Sequence, residues 1–205
     1  RNAIDQRNIV TIHRIEVGPL STNCLFVIDD ATRATLVVDP GGDGDALARR
    51  LRTLEAAPVM VVLTHGHFDH TLAASELARS FDVPIAMGAE DLPLYENTHR
   101  QVAGMFGAAA AEAALQGSPI TPTRWLAHGD TIVFGDLTAQ VLGLPGHSPG
   151  GIGLLLCGDP DVLVAGDTLF RDGVGRTDLW GGDESVLMRS IRERIWPLSD
   201  RTRVI

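Results

Sequence analysis

Two cysteines, Cys24 and Cys157, are too few for a disulfide framework, and neither stands in a Cys-x-x-Cys spacing. Each falls in a strand-like apolar run and is expected to be a buried thiol, which points to a reducing compartment and so to the cytoplasm. Long hydrophobic runs are missing too. No stretch reaches the roughly 18 apolar residues of a membrane span, so no membrane partner is expected. Positive charge is in short supply: 17 basic against 26 acidic residues give a formal charge of −9. That balance argues against a general phosphate-backbone binder, and no nucleic acid partner is expected. What remains is an ordinary globular composition, 44% apolar and 21% charged. A chain of 205 residues fits one domain, residues 1–205, able to bury a core without disulfides.

Histidine is scarce as well, seven in the chain, yet three of them and an aspartate occupy the single stretch His65-Gly66-His67-Phe68-Asp69-His70. It follows directly on the apolar run Val59-Met60-Val61-Val62-Leu63. Imidazole and carboxylate are the side chains that bind borderline divalent cations such as zinc, so this loop carries most of a metal site by itself. Two further segments leave strand ends. Gly146-His147-Ser148-Pro149-Gly150 follows a strand ending near Leu142, and Gly166-Asp167-Thr168 follows a strand over residues 162–165. Alone, each reads as an ordinary turn or cap. Together with the first loop they could converge on one metal centre, because loops at strand ends gather functional groups. His13, His99 and His128 lie outside these segments and are expected to be ordinary histidines.

Periodicity places strands at residues 11–17, 23–28 and 34–38, the last ending in the turn signal Asp39-Pro40-Gly41-Gly42. An amphipathic helix is expected over 43–55, with Leu47, Leu51 and Leu54 on one face, then a buried strand over 59–63 and a helix over about 71–81. Residues 88–117 read as mostly helical, ending in the Ala-rich stretch 103–115; an ordinary surface helix pair is the reading, with a mobile cover over a site as the alternative. Strands are expected again at 131–134, 137–142, 152–157 and 162–165, then a Gly-rich loop, a helix over about 184–195 and the start of one more strand at 203–205. Strand-rich halves separated by helices predict an α/β fold, a four-layer αβ/βα sandwich of two mixed β-sheets with helices on the outer faces.

The ordered set His-x-His-x-Asp-His, Gly-His-Ser-Pro-Gly and Gly-Asp-Thr-Leu-Phe resembles the metallo-β-lactamase-fold hydrolases. Val17-Gly18-Pro19-Leu20-Ser21-Thr22-Asn23-Cys24 and Val38-Asp39-Pro40-Gly41-Gly42 look like that superfamily's opening elements. The run 175–183, Gly-Arg-Thr-Asp-Leu-Trp-Gly-Gly-Asp, is similar to the single-domain glyoxalase II-like branch and to the related persulfide dioxygenases. The resemblance implies that His65, His67 and His147 hold a first metal. It implies that Asp69 and His70 hold a second, with Asp167 bridging the two, and that Asp69 and Asp167 serve catalysis. The cofactors would be two divalent metal ions, with Zn2+ the leading candidate and Fe or Mn the alternatives. Such a pair lowers the pKa of a bound water to about 7, so a hydroxide rather than a Ser or Cys is the nucleophile.

The function implied is a metal-dependent (thio)ester hydrolase acting on a 2-hydroxyacyl thioester of a small thiol. The rivals are a mononuclear iron persulfide dioxygenase, with His65, His147 and Asp167 on the iron, and a lactonase or phosphodiesterase. Two departures from the family pattern stand out. A further ligand His in a Gly-His-Gly-like turn is not among the residues up to Ile205, and the expectation is a chain that continues past Ile205 to supply it. The C-terminal helical domain that holds glutathione in full-length glyoxalase II enzymes is not among the residues up to Ile205 either, so another thiol carrier is an alternative expectation. Arg176 is the candidate substrate contact, set against a salt bridge with Asp178, Asp172 or Asp183. Asp39 is the candidate group for orienting a metal-bound His.

Overall fold

The computed structural model describes residues 10–114 and 120–205. Three strands, Val10–Val17 (β1), Thr22–Asp29 (β2) and Ala34–Val38 (β3), form an antiparallel meander. The next strands join side by side in parallel: Ala57–Val62 (β4), Ile85–Met87 (β5) and Arg124–Trp125 (β6). Parallel neighbours need a crossover, and helices supply it. Gly44–Thr53 (α1) links β3 to β4; Phe68–Thr71 (α2) and Ala74–Phe81 (α3) link β4 to β5. Leu92–Glu96 (α4), Thr98–Phe106 (α5) and Ala108–Ala114 (α6) follow β5. The sheet order is β1-β2-β3-β4-β5-β6.

The second sheet is built from Thr131–Phe134 (β7), Leu137–Gly143 (β8), Ile152–Leu156 (β9) and Val162–Val164 (β10), all antiparallel. A two-strand hairpin, Leu169–Phe170 (β11) with Gly173–Val174 (β12), lies beyond it. Glu184–Ser190 (α7) continues into a π-helical turn, Ile191–Ile195, and Arg203–Val204 (β13) lies parallel to β10. The order is β13-β10-β9-β8-β7, so β13 makes this sheet mixed as well.

Strand pleating sorts the apolar residues into layers, since successive side chains point to opposite faces. Leu25, Val27, Leu36, Val38, Met60 and Val62 face the second sheet and pack with Ile132, Phe134, Val141, Leu154 and Val164. Their alternates Phe26, Ile28, Val37, Val61 and Leu63 face outward, against Leu47 and Leu51 of α1 and Ala74 and Leu77 of α3. On the far side, Leu155, Leu163 and Ala165 pack with Leu187, Ile191 and Ile195. The result is the expected α-β-β-α sandwich. Fully burying one such Leu, Ile or Phe stabilises by about 1.5–3 kcal/mol, so both faces of these strands contribute to holding the layers together.

Several local expectations need correction. Cys24 is buried, but Cys157 is exposed: β9 ends at Leu156, and Cys157 opens the turn into Gly158. The helix expected from residue 71 starts earlier, with α2 inside the histidine motif, and restarts at Ala74. The Ala-rich stretch is not one helix, because Gly107, at φ +90°, separates α5 from α6; Leu115 and Gly117 lie outside the described residues. This pair packs on the site rather than standing free: Phe68, inside the histidine motif, is buried with Val102 and Ala111. Among the described residues no helix is long and apolar enough to cross a membrane.

Candidate metal centre

The carboxyl ends of β3, β4, β8 and β10 deliver Asp39, the loop from Thr64 to His70, His147 and Asp167 to one place. His65, His67, His70 and His147 are all buried. Candidate ligand nitrogens of His65, His67 and His147 lie within 4.8 Å of one another. His67 Nδ1 and His147 Nε2 face each other at 2.9 Å.

Hydrogen bonds show how three of these rings are held. Asp39 Oδ1 accepts the Thr64 N–H at 2.7 Å, and Asp39 Oδ2 accepts the Thr64 hydroxyl at 2.6 Å. That hydroxyl has spent its only proton, so across the 3.0 Å contact it accepts from His65 Nδ1. His65 Nε2 then carries a lone pair, and it is buried with no hydrogen-bond partner. His147 Nδ1 donates to the Arg176 carbonyl at 2.7 Å, which leaves the lone pair on its Nε2, and that atom accepts from His67 Nδ1 across the 2.9 Å contact. His70 Nδ1 sits 3.0 Å from Asp39 Oδ2 and donates there. Asp39, held at φ +50°, thus orients His70 directly and His65 through Thr64, wider than the single ring expected of it.

The acidic groups complete the other side. His70 Nε2 is 3.5 Å from Asp69 Oδ2 and 3.5 Å from Asp167 Oδ1, while Asp167 Oδ2 is 3.6 Å from His147 Nε2. The two oxygens of Asp167 therefore face different histidines. Asp69 Oδ2 also accepts the Thr22 hydroxyl at 2.9 Å, a restraint from β2 that the sequence did not signal. A second triad of candidate ligand atoms falls on Asp39, His65 and His70. Because both Asp39 oxygens are already engaged, Asp39 fits the orienting role better than that of a ligand.

The electrostatics divide the centre. Burial, reinforced by the neighbouring His70, His67 and His147, drives His65 well below the usual histidine range. Burial and His147 bring His67 down to about 4. For His70, burial works toward a lower pKa, but the carboxylates of Asp39, Asp167 and Asp69 outweigh it and raise it to about 9. Burial pushes Asp167 up, against the pull of His70 and His147. Neutral, inward-facing imidazoles on one side and carboxylates around a proton-holding imidazole on the other form a donor set that suits divalent cations. The unpartnered His65 Nε2 is the atom that most needs one.

A cavity of about 740 Å³ opens beside Asp69, His70 and Asp167, walled by Leu20, Phe170 and Ile205, with Arg14 and Arg171 on its lining. Arg176 does not line it. Its guanidinium is paired with Asp178 through bonds of 2.7 and 2.8 Å, and the residue reaches the centre through the carbonyl that holds His147 and, as the smallest of several causes, through a charge that lowers His67. Asp91 was not foreseen. It is fully buried and accepts hydrogen bonds from Gly66 N–H, Ser148 Oγ and Gly150 N–H at 2.9, 2.7 and 2.6 Å. Burial raises its pKa, and those three donors act to lower it.

Comparison with known proteins agrees with this arrangement. A family model described as the metallo-beta-lactamase superfamily matches residues 17–203. A protein of Haemophilus influenzae named hydroxyacylglutathione hydrolase GloC is 35% identical over 198 residues, covering 96% of this chain and 89% of that protein. Among solved structures, the B3 metallo-beta-lactamase BLEG-1 matches with a TM-score of 0.84 at 31% identity, over 95% of this chain and 90% of that one. TTHA1623 in a di-iron-bound form matches at 0.79 and 34%, over 94% and 90%. Motif order, layer order and sequence all lead to one assignment: the chain belongs to the metallo-beta-lactamase superfamily.

Proposed function

We propose that this protein is a metal-dependent hydrolase of 2-hydroxyacyl thioesters of a small thiol, with His65, His67 and His147 holding one divalent cation. Asp69, His70 and Asp167 would hold the second. The observation that carries the reading is Asp167, whose two oxygens face His70 and His147 separately at 3.5 and 3.6 Å. Bound cations supply Lewis acidity and bring the pKa of water to about 7. The chain's own groups do the rest. Asp69 and Asp167 are the partly exposed carboxylates on the cavity, placed to hold a water by its protons and accept one as oxygen attacks the thioester carbonyl. The C–S bond then breaks and the thiol leaves as thiolate, a good leaving group that needs no strong acid beside it.

The cavity and the likeness to a named relative support this substrate class. Leu20 and Phe170 offer apolar wall to the acyl thioester, and Arg14 and Arg171 offer cations to a carboxylate-bearing thiol such as glutathione. The resemblance to the Haemophilus influenzae hydroxyacylglutathione hydrolase supports the same class. Loss of thioester absorbance with S-lactoylglutathione is the assay. A full-length, metal-loaded protein that turns over no lactoyl thioester refutes the assignment. Metal analysis adds a second arm, since one iron per chain with oxygen uptake on a thiol persulfide would favour the dioxygenase instead.

A further inference from the structure

Asp91 is outside the donor set, yet it touches two of the three loops that build it. Gly66 lies between His65 and His67, and Ser148 follows His147. One carboxylate oxygen accepts from both Gly66 N–H and Ser148 Oγ, and the other from Gly150 N–H. The two sheets are already joined one step lower, where Ile152 N–H donates to the Thr64 carbonyl at 2.8 Å. Asp91 carries that join outward to the loops themselves.

We propose that Asp91 is a positioning residue of the metal centre, clamping the 65–70 and 146–150 loops so that His67 Nδ1 meets His147 Nε2. The role rests on the metal reading above. A carboxylate suits it because it is acceptor-only, with room for several donors, whereas an amide must turn an NH2 toward at least one of these three N–H or O–H groups. Gly150 belongs to the same device: a Cβ there would meet Asp91 N at 2.6 Å and its side chain at 3.1 Å, pushing the carboxylate off its donors. The contact comes from the segment between β5 and α4, so the helical insertion after β5 frames the site as well as covering it.

A merely structural staple would lower stability and leave the metal untouched, and Asp29 supplies that control. It too lacks exposed surface and accepts from Ala31 N–H, Thr32 Oγ and Asp136 N–H, at the end of β2 opposite the Thr22 that bonds Asp69. The test uses full-length protein with Asp91→Asn, Ser148→Ala and Asp29→Asn. Zn2+ affinity is measured by chelator competition, the visible spectrum is recorded on the Co2+-loaded form, and the melt on the metal-free form. Asp91→Asn should weaken Zn2+ binding by about 10–100-fold and alter the cobalt spectrum, as loss of an outer-sphere support does. Ser148→Ala should move both in the same direction by less, and Asp29→Asn should lower the melting temperature at wild-type affinity. Wild-type affinity and an unchanged cobalt spectrum in Asp91→Asn and Ser148→Ala overturn the proposal, whatever the melt shows. If Asp91→Asn does not fold, Ser148→Ala decides alone. A wild-type protein that binds no Zn2+ or Co2+ overturns the metal centre itself and this role with it.

Discussion

The pairing of His70 with Asp39 sets how the metal-free protein responds to pH. His70 is buried, and its pKa of about 9 lies above the 6.5 of a free side chain. The folded state thus binds a proton that the unfolded chain gives up near pH 6.5. The resulting stabilisation is complete below pH 6.5 and is lost as pH rises through 9. A shift of that size corresponds to about 3 kcal/mol, with a slope approaching about 1.4 kcal/mol per pH unit at its steepest. Asp39 is the strongest of the groups holding the proton in place, through both its charge and its hydrogen bond. Asp39→Asn should remove most of the slope. The substitution also disturbs the two bonds from Thr64, a loss that shifts stability by a constant amount and leaves the pH dependence separable. Urea unfolding of chelator-treated protein between pH 6 and 9.5 measures it. A variant that keeps the wild-type slope refutes the coupling, however much its absolute stability has dropped.

Two further perturbations probe the frame of the centre. A Cβ on Gly175 would collide with the Asp167 carbonyl oxygen and come within 3.4 Å of His147 Cβ, so Gly175→Ala should cost about 1–3 kcal/mol in urea unfolding and weaken metal binding in chelator competition. Arg176→Ala keeps the carbonyl that holds His147 and loses an exposed pair with Asp178 and the smallest of the charges acting on His67, so Zn2+ affinity and melting temperature should stay near wild-type values; a clear loss of metal would show that the guanidinium matters to the centre after all.

The chemistry of the centre was legible where ligand-type residues sit close together or directly follow a strand. His65 to His70 needed only the six-residue spacing to suggest a metal site, whereas His147 and Asp167 read alone as ordinary turn residues and were singled out by combination with that loop and by the family resemblance. The supports other than Asp39 were not legible, because each acts across the chain. Thr22 reaches Asp69 over 47 positions, and Asp91 reaches Gly66 over 25 and Ser148 over 57. No local pattern distinguishes such a Thr or Asp from a surface one. Short buried strands were hidden for a different reason. β5 has three residues, Ile85 to Met87, all buried, and a short apolar run of that kind carries no period to tell strand from helix. Cys157 was misplaced by the same limit: apolar continuity extends past Leu156, while the ladder, set by the partners Val162 and Ala139, stops there.

The two halves of the centre solve opposite electrostatic problems with one set of supports. Around His65 and His67, burial and neighbouring imidazoles disfavour the charged rings, so at neutral pH each keeps a lone pair that a cation needs. Around His70 the carboxylates do the reverse and retain a proton in the place of a cation. Asp39 serves both, turning His65 through Thr64 and holding the proton of His70 directly. Burial that leaves His65 Nε2 without a partner weakens the metal-free fold, since an unpaired buried acceptor loses the hydrogen bonds that water would give it. The same burial keeps that atom unprotonated and aimed. For His65 the cost of burial in the metal-free fold and the readiness for metal therefore have one physical origin, the removal of its ring from solvent.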